Sequence, residues 1–132
     1  MQALETLKSI LGPGGWLEED GDTESYRNDW HRKVAGRAML VALPHDVQQV
    51  ADVVNVCCEA GIAITPQGGN TSVSASGVPA ETGDNIVVSL KRMNSIRDVS
   101  SAGYSLSADA GATLQAVQEA AADQERFFAL DI

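Results

Sequence analysis

The stretch AMLVALPHDVQQVADVVNVCCEAGIAIT, residues 38–65, predicts the central unit of the fold. It opens with an apolar run of strand length, residues 38–43. Residues 45–60 follow with the apolar spacing of a helix, and Gly61 stands where a helix-ending glycine is expected. A second short strand at 62–65 completes a strand–helix–strand unit, which implies a parallel pair of strands joined by a right-handed crossover.

The predicted helix 45–60 carries its apolar residues on one stripe. The stripe consists of Val47, Val50, Ala51, Val54, Cys57 and Cys58. Because Cys57 and Cys58 lie on this apolar stripe, we expect two buried structural thiols rather than a redox pair. A disulfide between adjacent cysteines is strained and rare, which argues against a secreted disulfide scaffold.

The elements outside this unit indicate an α+β protein. Towards the amino terminus we predict a helix at 2–11 and an irregular, charged lead-in at 12–37. Towards the carboxyl terminus we predict a buried strand at 86–90, two antiparallel strands around a turn at 100–103, and a helix with Thr113 as N-cap. The predicted buried face of that last helix consists of Leu114, Val117, Ala120 and Ala121.

The segment PQGGNTSVSASGVP, residues 66–79, runs for 14 residues without a charge. It lies at the carboxyl end of a parallel pair, where open α/β sheets gather their ligands. Gly68 and Gly69 lack a Cβ, so their backbone can approach a ligand closely and can take positive φ. Successive N–H groups in such a turn can converge on an anion, and residues 70–72 add side-chain donors. The predicted ligand of this loop is a phosphate or a diphosphate.

The charged residues near this loop limit which phosphate-containing ligands it can bind. No Lys or Arg lies between Arg37 and Lys91, whereas five Asp and Glu do. A phosphate would therefore be held by backbone dipoles and neutral donors. The patterns GxxxxGK and GxGxxG are absent, which disfavours a nucleotide triphosphatase and an ordinary NAD site. A neutral cradle suits the diphosphate of a permanently bound cofactor, and a surface loop without a ligand is the alternative.

Composition and the amino terminus exclude other classes. The formal net charge of −9 disfavours nucleic acid and anionic lipid as partners. No apolar run approaches the ~20 residues of a transmembrane helix. The start, MQALETLKSILGPGGW, lacks the features of a signal or transit peptide, so a cytoplasmic location is expected.

Several residues with chemical potential are interpreted as structural. His31 and His45 have no partner at metal-ligand spacing, so no metal site is predicted, and His45 is expected to cap a helix or to be solvated. Trp30 is expected to pack in the lead-in rather than to cover a cofactor. Lys91 and Arg92 are expected to lie on the surface.

Five stretches together resemble the FAD-linked oxidases that have a vanillyl-alcohol-oxidase or PCMH type of FAD domain. The loop ITPQGGNTSVSASGVP resembles the pyrophosphate loop of that family, and PQGGNT is similar to its D-2-hydroxy acid branch, the D-2-hydroxyglutarate and D-lactate dehydrogenases. The other stretches agree in order and spacing: YRNDWHRKVAGRAMLVALP, VQQVADVVNVCCEAGIAITP, IVVSLKRMNSIRDV and LSADAGATLQAVQEAAADQERFFALDI. The resemblance covers residues 16–132.

The resemblance implies an FAD domain of two α+β subdomains. The lead-in at 1–37 would precede the parallel unit at 38–95, and the start of a mainly antiparallel second subdomain would follow at 96–132, where the chain is truncated. The residues implied to wrap the FAD pyrophosphate are Gln67, Gly68, Gly69, Asn70, Thr71 and Ser72. Ala110 and Gly111 match a turn beside the cofactor. Substrate-binding residues are implied to lie beyond this chain, so no catalytic residue is named.

The implied function is that of an FAD-dependent dehydrogenase with a small 2-hydroxy acid as substrate and a separate electron acceptor. A relative with another substrate, such as glycolate or a sugar lactone, is the alternative among enzymes. Ser72, Ser74 and Ser76 stand where the family often has GLVGG, and they keep open a flavin-free α/β module that makes protein contacts. The fragment alone is expected to be inactive, with possible self-association through exposed apolar strand edges.

Overall fold

The computed structural model of the protein describes residues 2–130. Its elements in chain order are α1 (Gln2–Leu11), β1 (Trp16–Leu17), α2 (Asp20–Arg27), β2 (Leu40–Ala42), α3 (Val47–Ala60), β3 (Ala63–Gln67), β4 (Asn85–Ser89), β5 (Ile96–Ser100), β6 (Ser105–Ala108) and α4 (Leu114–Ala122). Each predicted helix and strand is present, and the mixed α+β class is confirmed. The last two residues of the matched stretch FFALDI lie outside the described residues.

Four strands form the central sheet in the order β1-β2-β4-β3. β2 and β3 both run parallel to β4, whereas β1 pairs antiparallel with β2. The predicted parallel direction of β2 and β3 is therefore correct, but the two strands are not neighbours, because β4 lies between them. All five residues of β4 are buried, which suits the central strand of a sheet that is covered on both faces.

Helices cover both faces of this sheet. On one face, α1 and α3 enclose a core of eight buried residues: Leu7, Leu11, Leu40, Ala42, Val53, Cys57, Ile86 and Val88. On the other face, Tyr26 of α2 packs against Val41, Leu43 and Val87. Successive residues of β2 and β4 point to opposite faces, so each short strand contributes to both cores.

The buried face of α3 differs from the predicted stripe. Val53 and Cys57 are fully buried, whereas Val47 is 73% exposed and Cys58 is exposed. Apolar residues lie on most sides of this helix, so their spacing did not determine which side faces α1. The prediction of a buried thiol is thus correct for Cys57 and wrong for Cys58.

The ends of α3 are capped by its neighbours in sequence. Asp46 is the N-cap, with its carboxylate accepting from the backbone N–H of Gln49 at 2.7 Å. His45 is exposed and does not cap the helix. Gly61 takes φ of 65° at the carboxyl end, as predicted.

The lead-in 12–37 is more ordered than predicted, because it contains β1 and α2. Helix α2 has the sequence DGDTESYR, of which only Thr23 and Tyr26 are buried. Two buried residues in eight give no apolar period, which is why the sequence did not reveal this helix.

The last part of the described chain forms a second, smaller unit. β5 and β6 are antiparallel, as predicted, and α4 packs on them. Thr113 is the N-cap of α4, with its hydroxyl accepting from the N–H of Ala116 at 3.2 Å. Within residues 2–130, no helix has the length and apolar character needed to cross a membrane.

Candidate functional site

The predicted binding loop leaves the sheet at the carboxyl end of β3. A cavity of about 230 Å³ lies there. Its lining comprises Pro66, Gln67, Gly68, Gly69, Asn70, Thr71, Ser72, Ser76 and Gly77. All six residues predicted to wrap a diphosphate thus border one cavity, although their contact with a ligand stays a prediction.

Two carboxamide side chains fix the path of this loop. The Gln67 amide is buried and donates to the carbonyl oxygens of Tyr26 at 2.9 Å and Gly77 at 2.8 Å. The Asn70 amide donates to the carbonyl oxygens of Asn28 at 2.8 Å and Ser25 at 3.2 Å. The loop is therefore tied to helix α2 and the residue after it. The Asn70 amide group, predicted to donate to a ligand, is instead used to hold the loop.

The fold itself does not require glycine at position 68 or 69. Neither Gly68 nor Gly69 uses the positive φ that a glycine allows, and the left-handed residue of the turn is Asn70, with φ of 54°. A Cβ added to Gly68 would have no neighbour within 4 Å, and one added to Gly69 would meet only the Thr71 methyl group at 3.8 Å. Open space in front of two glycines suits the close approach of a ligand to the backbone.

The backbone of the loop also offers free donors. Among residues 2–130, no protein acceptor receives a hydrogen bond from the backbone N–H of Gly68, Gly69, Asn70, Thr71 or Ser72. Five successive amides without a protein partner are available as donors to phosphate oxygens. The residues present therefore fit a diphosphate group, through main-chain donors and without a charged side chain in the loop.

The three serines in the middle of the loop, Ser72, Ser74 and Ser76, bond to one another. The Ser72 hydroxyl lies 2.9 Å from the Ser74 hydroxyl and accepts from the Ser76 hydroxyl at 2.9 Å. The backbone N–H of Ser74 also donates to the Ser72 hydroxyl at 3.2 Å. The three hydroxyls stabilise the second half of the loop as a compact turn.

Cations outside the loop come to the same edge of the sheet. The backbone N–H of Leu90 donates to the carbonyl oxygen of Gln67 at 2.9 Å, so the chain leaves β4 beside the base of the loop. Lys91 then donates to the Tyr26 hydroxyl, and Arg92 donates to the carbonyl oxygen of Leu43 at 2.9 Å. Both residues are solvent-exposed, as predicted, but their charged groups have protein partners.

A second cavity, of about 310 Å³, adjoins the loop on the side of α2. It is lined by Ser25, Asn28, Asp29, Trp30, Arg32, Gly69 and Asn70. The Trp30 side chain is 67% exposed here, so the prediction that it packs in the lead-in is wrong.

The turn that carries Trp30 is held by Asp29. Its carboxylate accepts from the backbone N–H groups of Lys33 at 2.6 Å, Val34 at 2.7 Å and His31 at 3.2 Å. The hydrogen bond from Val34, followed by those from Lys33 and His31, holds the pKa of the buried Asp29 carboxyl below its usual value.

The predicted turn at Ala110 and Gly111 lies against the end of β4. A Cβ at Gly111 would stand 1.8 Å from the Leu90 carbonyl oxygen, and the Gly111 N–H donates to the Met93 carbonyl oxygen at 2.8 Å. Gly111 is thus required for close packing, and Ala110 beside it is exposed. Neither residue lines the loop cavity, and their contact with a cofactor stays a prediction.

Sequence reasoning missed the part of α2 that anchors the loop. The carbonyl oxygens of Ser25, Tyr26 and Asn28 accept hydrogen bonds from side-chain amides. The donors, Gln67 and Asn70, lie more than 40 residues away in the sequence. Every residue has a backbone carbonyl oxygen, so the sequence does not show which of them accepts a hydrogen bond. The one available signal was the pair of carboxamides that flanks Gly68 and Gly69.

Comparison with known proteins identifies the family of this chain. The sequence model of the FAD binding domain family matches residues 38–132. The D-2-hydroxyglutarate–pyruvate transhydrogenase of Saccharomyces cerevisiae is 31% identical over 131 residues, which cover 98% of this chain and 26% of that protein. The D-2-hydroxyglutarate dehydrogenase of Xanthomonas citri pv. viticola is 34% identical over 113 residues, which cover 86% of this chain and 24% of that protein.

A similar fold is found in solved structures. The structure of p-cresol methylhydroxylase with substrate bound superposes with a TM-score of 0.76 at 20% identity, over 94% of this chain and 24% of that chain. The predicted PCMH type of fold is confirmed. The chain spans about a quarter of the length of the curated relatives it matches. With its glycine loop, its free backbone amides and a family match over residues 38–132, this chain belongs to the FAD binding domain family, whose cofactor is FAD.

Proposed function

We propose that this chain is the amino-terminal, cofactor-binding part of an FAD-dependent dehydrogenase that oxidises a D-2-hydroxy acid of the D-2-hydroxyglutarate or D-lactate type. One observation carries the cofactor site: five successive backbone N–H groups, from Gly68 to Ser72, have no acceptor among residues 2–130 and lie beside two glycines that face open space. The relatives named above support the substrate class.

In this proposal the residues of the loop have separate tasks. Gly68 and Gly69 allow the diphosphate of FAD to approach the main chain, and the amides of residues 68–72 donate to its oxygens. Gln67 and Asn70 hold the loop in place through Tyr26, Asn28 and Ser25. Because these bonds already exist, little further ordering of the loop is needed when the cofactor binds.

FAD, when bound, supplies the two-electron chemistry, which side chains of this kind cannot provide. Within residues 2–130, no three His, Cys, Asp or Glu residues come together as a metal-binding group. The residues that recognise the hydroxy acid belong, in this proposal, to the part of the protein beyond this chain, as does the contact with a separate electron acceptor. A cytoplasmic location completes the proposal.

The test is flavin retention by the full-length protein and its loss in one variant. Purified wild-type protein should show flavin absorption between about 350 and 500 nm after gel filtration, and D-2-hydroxy acids should bleach it more than L-isomers or glycolate. Gly69→Val should weaken FAD binding roughly hundredfold or more, since the new side chain fills the space that the diphosphate needs. Its fold should be intact, because only the Thr71 methyl group lies within 4 Å of that position.

A control variant keeps the test specific. Ala80→Val also places a valine in the same long loop, at an exposed residue outside the cavity, and should retain the flavin. A colourless, well-folded wild-type protein would instead support the flavin-free module. Bound flavin that glycolate or a sugar lactone reduces, and D-2-hydroxy acids do not, would shift the proposal to the other substrate class.

Self-association of the 132-residue chain is a further part of the proposal. An apolar cavity of about 460 Å³ lies between β5, β6 and α4, and Phe127 at its rim is 89% exposed. Because such a patch is rarely left open to water, two copies of the chain can cover it for one another. Gel filtration over a range of concentrations should show a dimer that Phe127→Ser converts to monomer.

A further inference from the structure

A tightly ordered turn, residues 28–35, displays two large side chains instead of burying them. Asn28 and Ala35 are bridged, and the Asp29 N–H donates to the Val34 carbonyl oxygen at 3.0 Å. Arg32 takes left-handed φ of 55°, which is unfavourable for a residue with a Cβ. Order of this kind has an entropic cost, and burial of apolar side chains normally offsets it.

That compensation is absent at this turn. Trp30 is 67% exposed and the Arg32 side chain is 80% exposed. The other tryptophan, Trp16, shows the usual arrangement, because it is half-buried and packs against the core of α1 and α3. The Lys8 ammonium nitrogen lies 4.7 Å from the centroid of its ring. The indole at the turn 28–35 is therefore the exposed one, and its place at the wall of a cavity indicates a contact with a molecule outside the described chain.

The position of the turn indicates which molecule. Trp30 and Arg32 line the cavity of about 310 Å³, and Gly69 and Asn70 line both this cavity and the loop cavity. The Asn70 amide joins the turn to the loop through the Asn28 carbonyl oxygen at 2.8 Å. A ligand whose diphosphate lies on the loop is thus next to the cavity that Trp30 lines.

We propose that Trp30, with Arg32 beside it, stacks on the adenine ring of the FAD whose diphosphate lies on residues 68–72. This inference rests on the proposed function. The flavin ring has to meet the substrate, whose binding residues lie outside this chain, whereas the adenine ring needs only a flat partner and a few donors. An indole supplies the flat partner, and a guanidinium supplies both donors and a cation for the ring face.

The first test uses the fluorescence of Trp30. Flavin-free, full-length protein is titrated with ADP, which has the adenine and the diphosphate but does not absorb tryptophan emission. ADP should quench the wild-type emission, and the quenching should disappear in Trp30→Phe but persist in Trp16→Phe. Equal quenching in wild type and Trp30→Phe would overturn the proposal.

The second test compares two flavins. Stacking of a base on an aromatic ring contributes about 1–3 kcal/mol, so Trp30→Leu should raise the Kd for FAD roughly five- to 150-fold. The Kd for FMN, which lacks the adenine, should be unchanged in the same variant. Arg32→Asn keeps a residue that tolerates left-handed φ and should raise only the Kd for FAD. An equal loss for FAD and FMN would mean that Trp30 contacts the flavin ring, and would overturn the adenine assignment.

These outcomes separate the inference from the proposal it rests on. If wild-type protein binds FAD and Trp30→Leu binds it equally well, the adenine contact is refuted and the cofactor site at the loop stands. If wild-type protein binds neither flavin, the cofactor site itself is refuted. Since Trp30 is mostly exposed, the substitutions should leave thermal unfolding unchanged, which a melting curve checks.

Discussion

The side-chain amide of Gln67 donates to the carbonyl oxygen of Tyr26 at 2.9 Å and so joins the base of the glycine loop to helix α2 across 41 residues of sequence. The same amide donates to the Gly77 carbonyl oxygen at 2.8 Å, near the far end of the loop. One buried side chain therefore fixes both ends of the glycine loop.

We expect Gln67→Leu to destabilise the protein by about 2 kcal/mol, because two carbonyl oxygens would lose their donor inside the fold. FAD affinity should fall as well, because the loop would lose its anchor. Urea unfolding measures the first effect and flavin titration the second. Gln48→Leu, at an exposed position of α3, should change the unfolding free energy by less than about 0.5 kcal/mol. Equal stability of the two variants would contradict the anchoring role.

Gly111 should be far less tolerant of substitution than the glycines of the loop. Gly111→Ala places a methyl group 1.8 Å from the Leu90 carbonyl oxygen, so the backbone would have to move. We expect a loss of about 3 kcal/mol in unfolding free energy, read from the urea midpoint. The control is Gly21→Ala in α2, where nothing lies within 4 Å and a gain of about 0.5–1 kcal/mol is expected. A stable Gly111→Ala protein would refute the contact.

The turn that carries Trp30 should weaken in acid. The folded pKa of Asp29 lies below its usual value, so its contribution to stability is present above about pH 4 and is lost as pH falls through the folded pKa. Asp29→Asn should therefore melt at a lower temperature than wild type at pH 7. The difference should stay constant down to about pH 5 and narrow below about pH 4.

Melting curves of both proteins at several pH values check this prediction. Glu81→Gln, at an exposed residue of the loop, serves as the control and should keep the same melting temperature as wild type throughout. A difference between wild type and Asp29→Asn that persists unchanged at pH 3 would rule out the carboxylate as its source.

The two adjacent cysteines should differ in reactivity. Burial, with the neighbouring Cys58 adding to it, raises the pKa of the Cys57 thiol, while Cys58 is exposed. Because the thiolate is the reactive form, a thiol reagent at pH 8 should modify Cys58 and spare Cys57 in the native protein, and should modify both in urea. Peptide mass spectrometry locates the adduct. Cys58→Ser should remove native labelling and Cys57→Ser should keep it; labelling of Cys57 in native protein would contradict its burial.

Local patterns explain which parts of the fold were predictable. Gly61 and Thr113 were recognised because a helix end depends on residues within one turn of it. The apolar run at 86–90 predicted a buried strand from local sequence as well, because burial on both faces requires apolar residues at successive positions. The charge-free glycine segment indicated a binding loop because few other structures need that composition.

Contacts between distant residues explain the rest. Whether Val47 or Val53 faces inward depends on where α1 packs, and α1 lies about 40 residues earlier in the chain. The position of β4 between β2 and β3 is likewise a property of the sheet, not of any one strand. The exposure of Trp30 was missed because an aromatic residue in an ordered segment is most often buried. Such exceptions are expected where a residue serves a ligand and not the core.

The central place of β4 has a consequence for how the protein is made. β2 and β3 are synthesised first, yet neither has its main partner until residues 85–89 have emerged from the ribosome. Until then the edge of each strand that pairs with β4 is open, a state prone to wrong pairing. The seventeen residues 68–84 form the connection that this last pairing closes. Assembly of the sheet and shaping of the glycine loop are therefore one event during biosynthesis, and a nascent chain without its middle strand should lack the proposed FAD site.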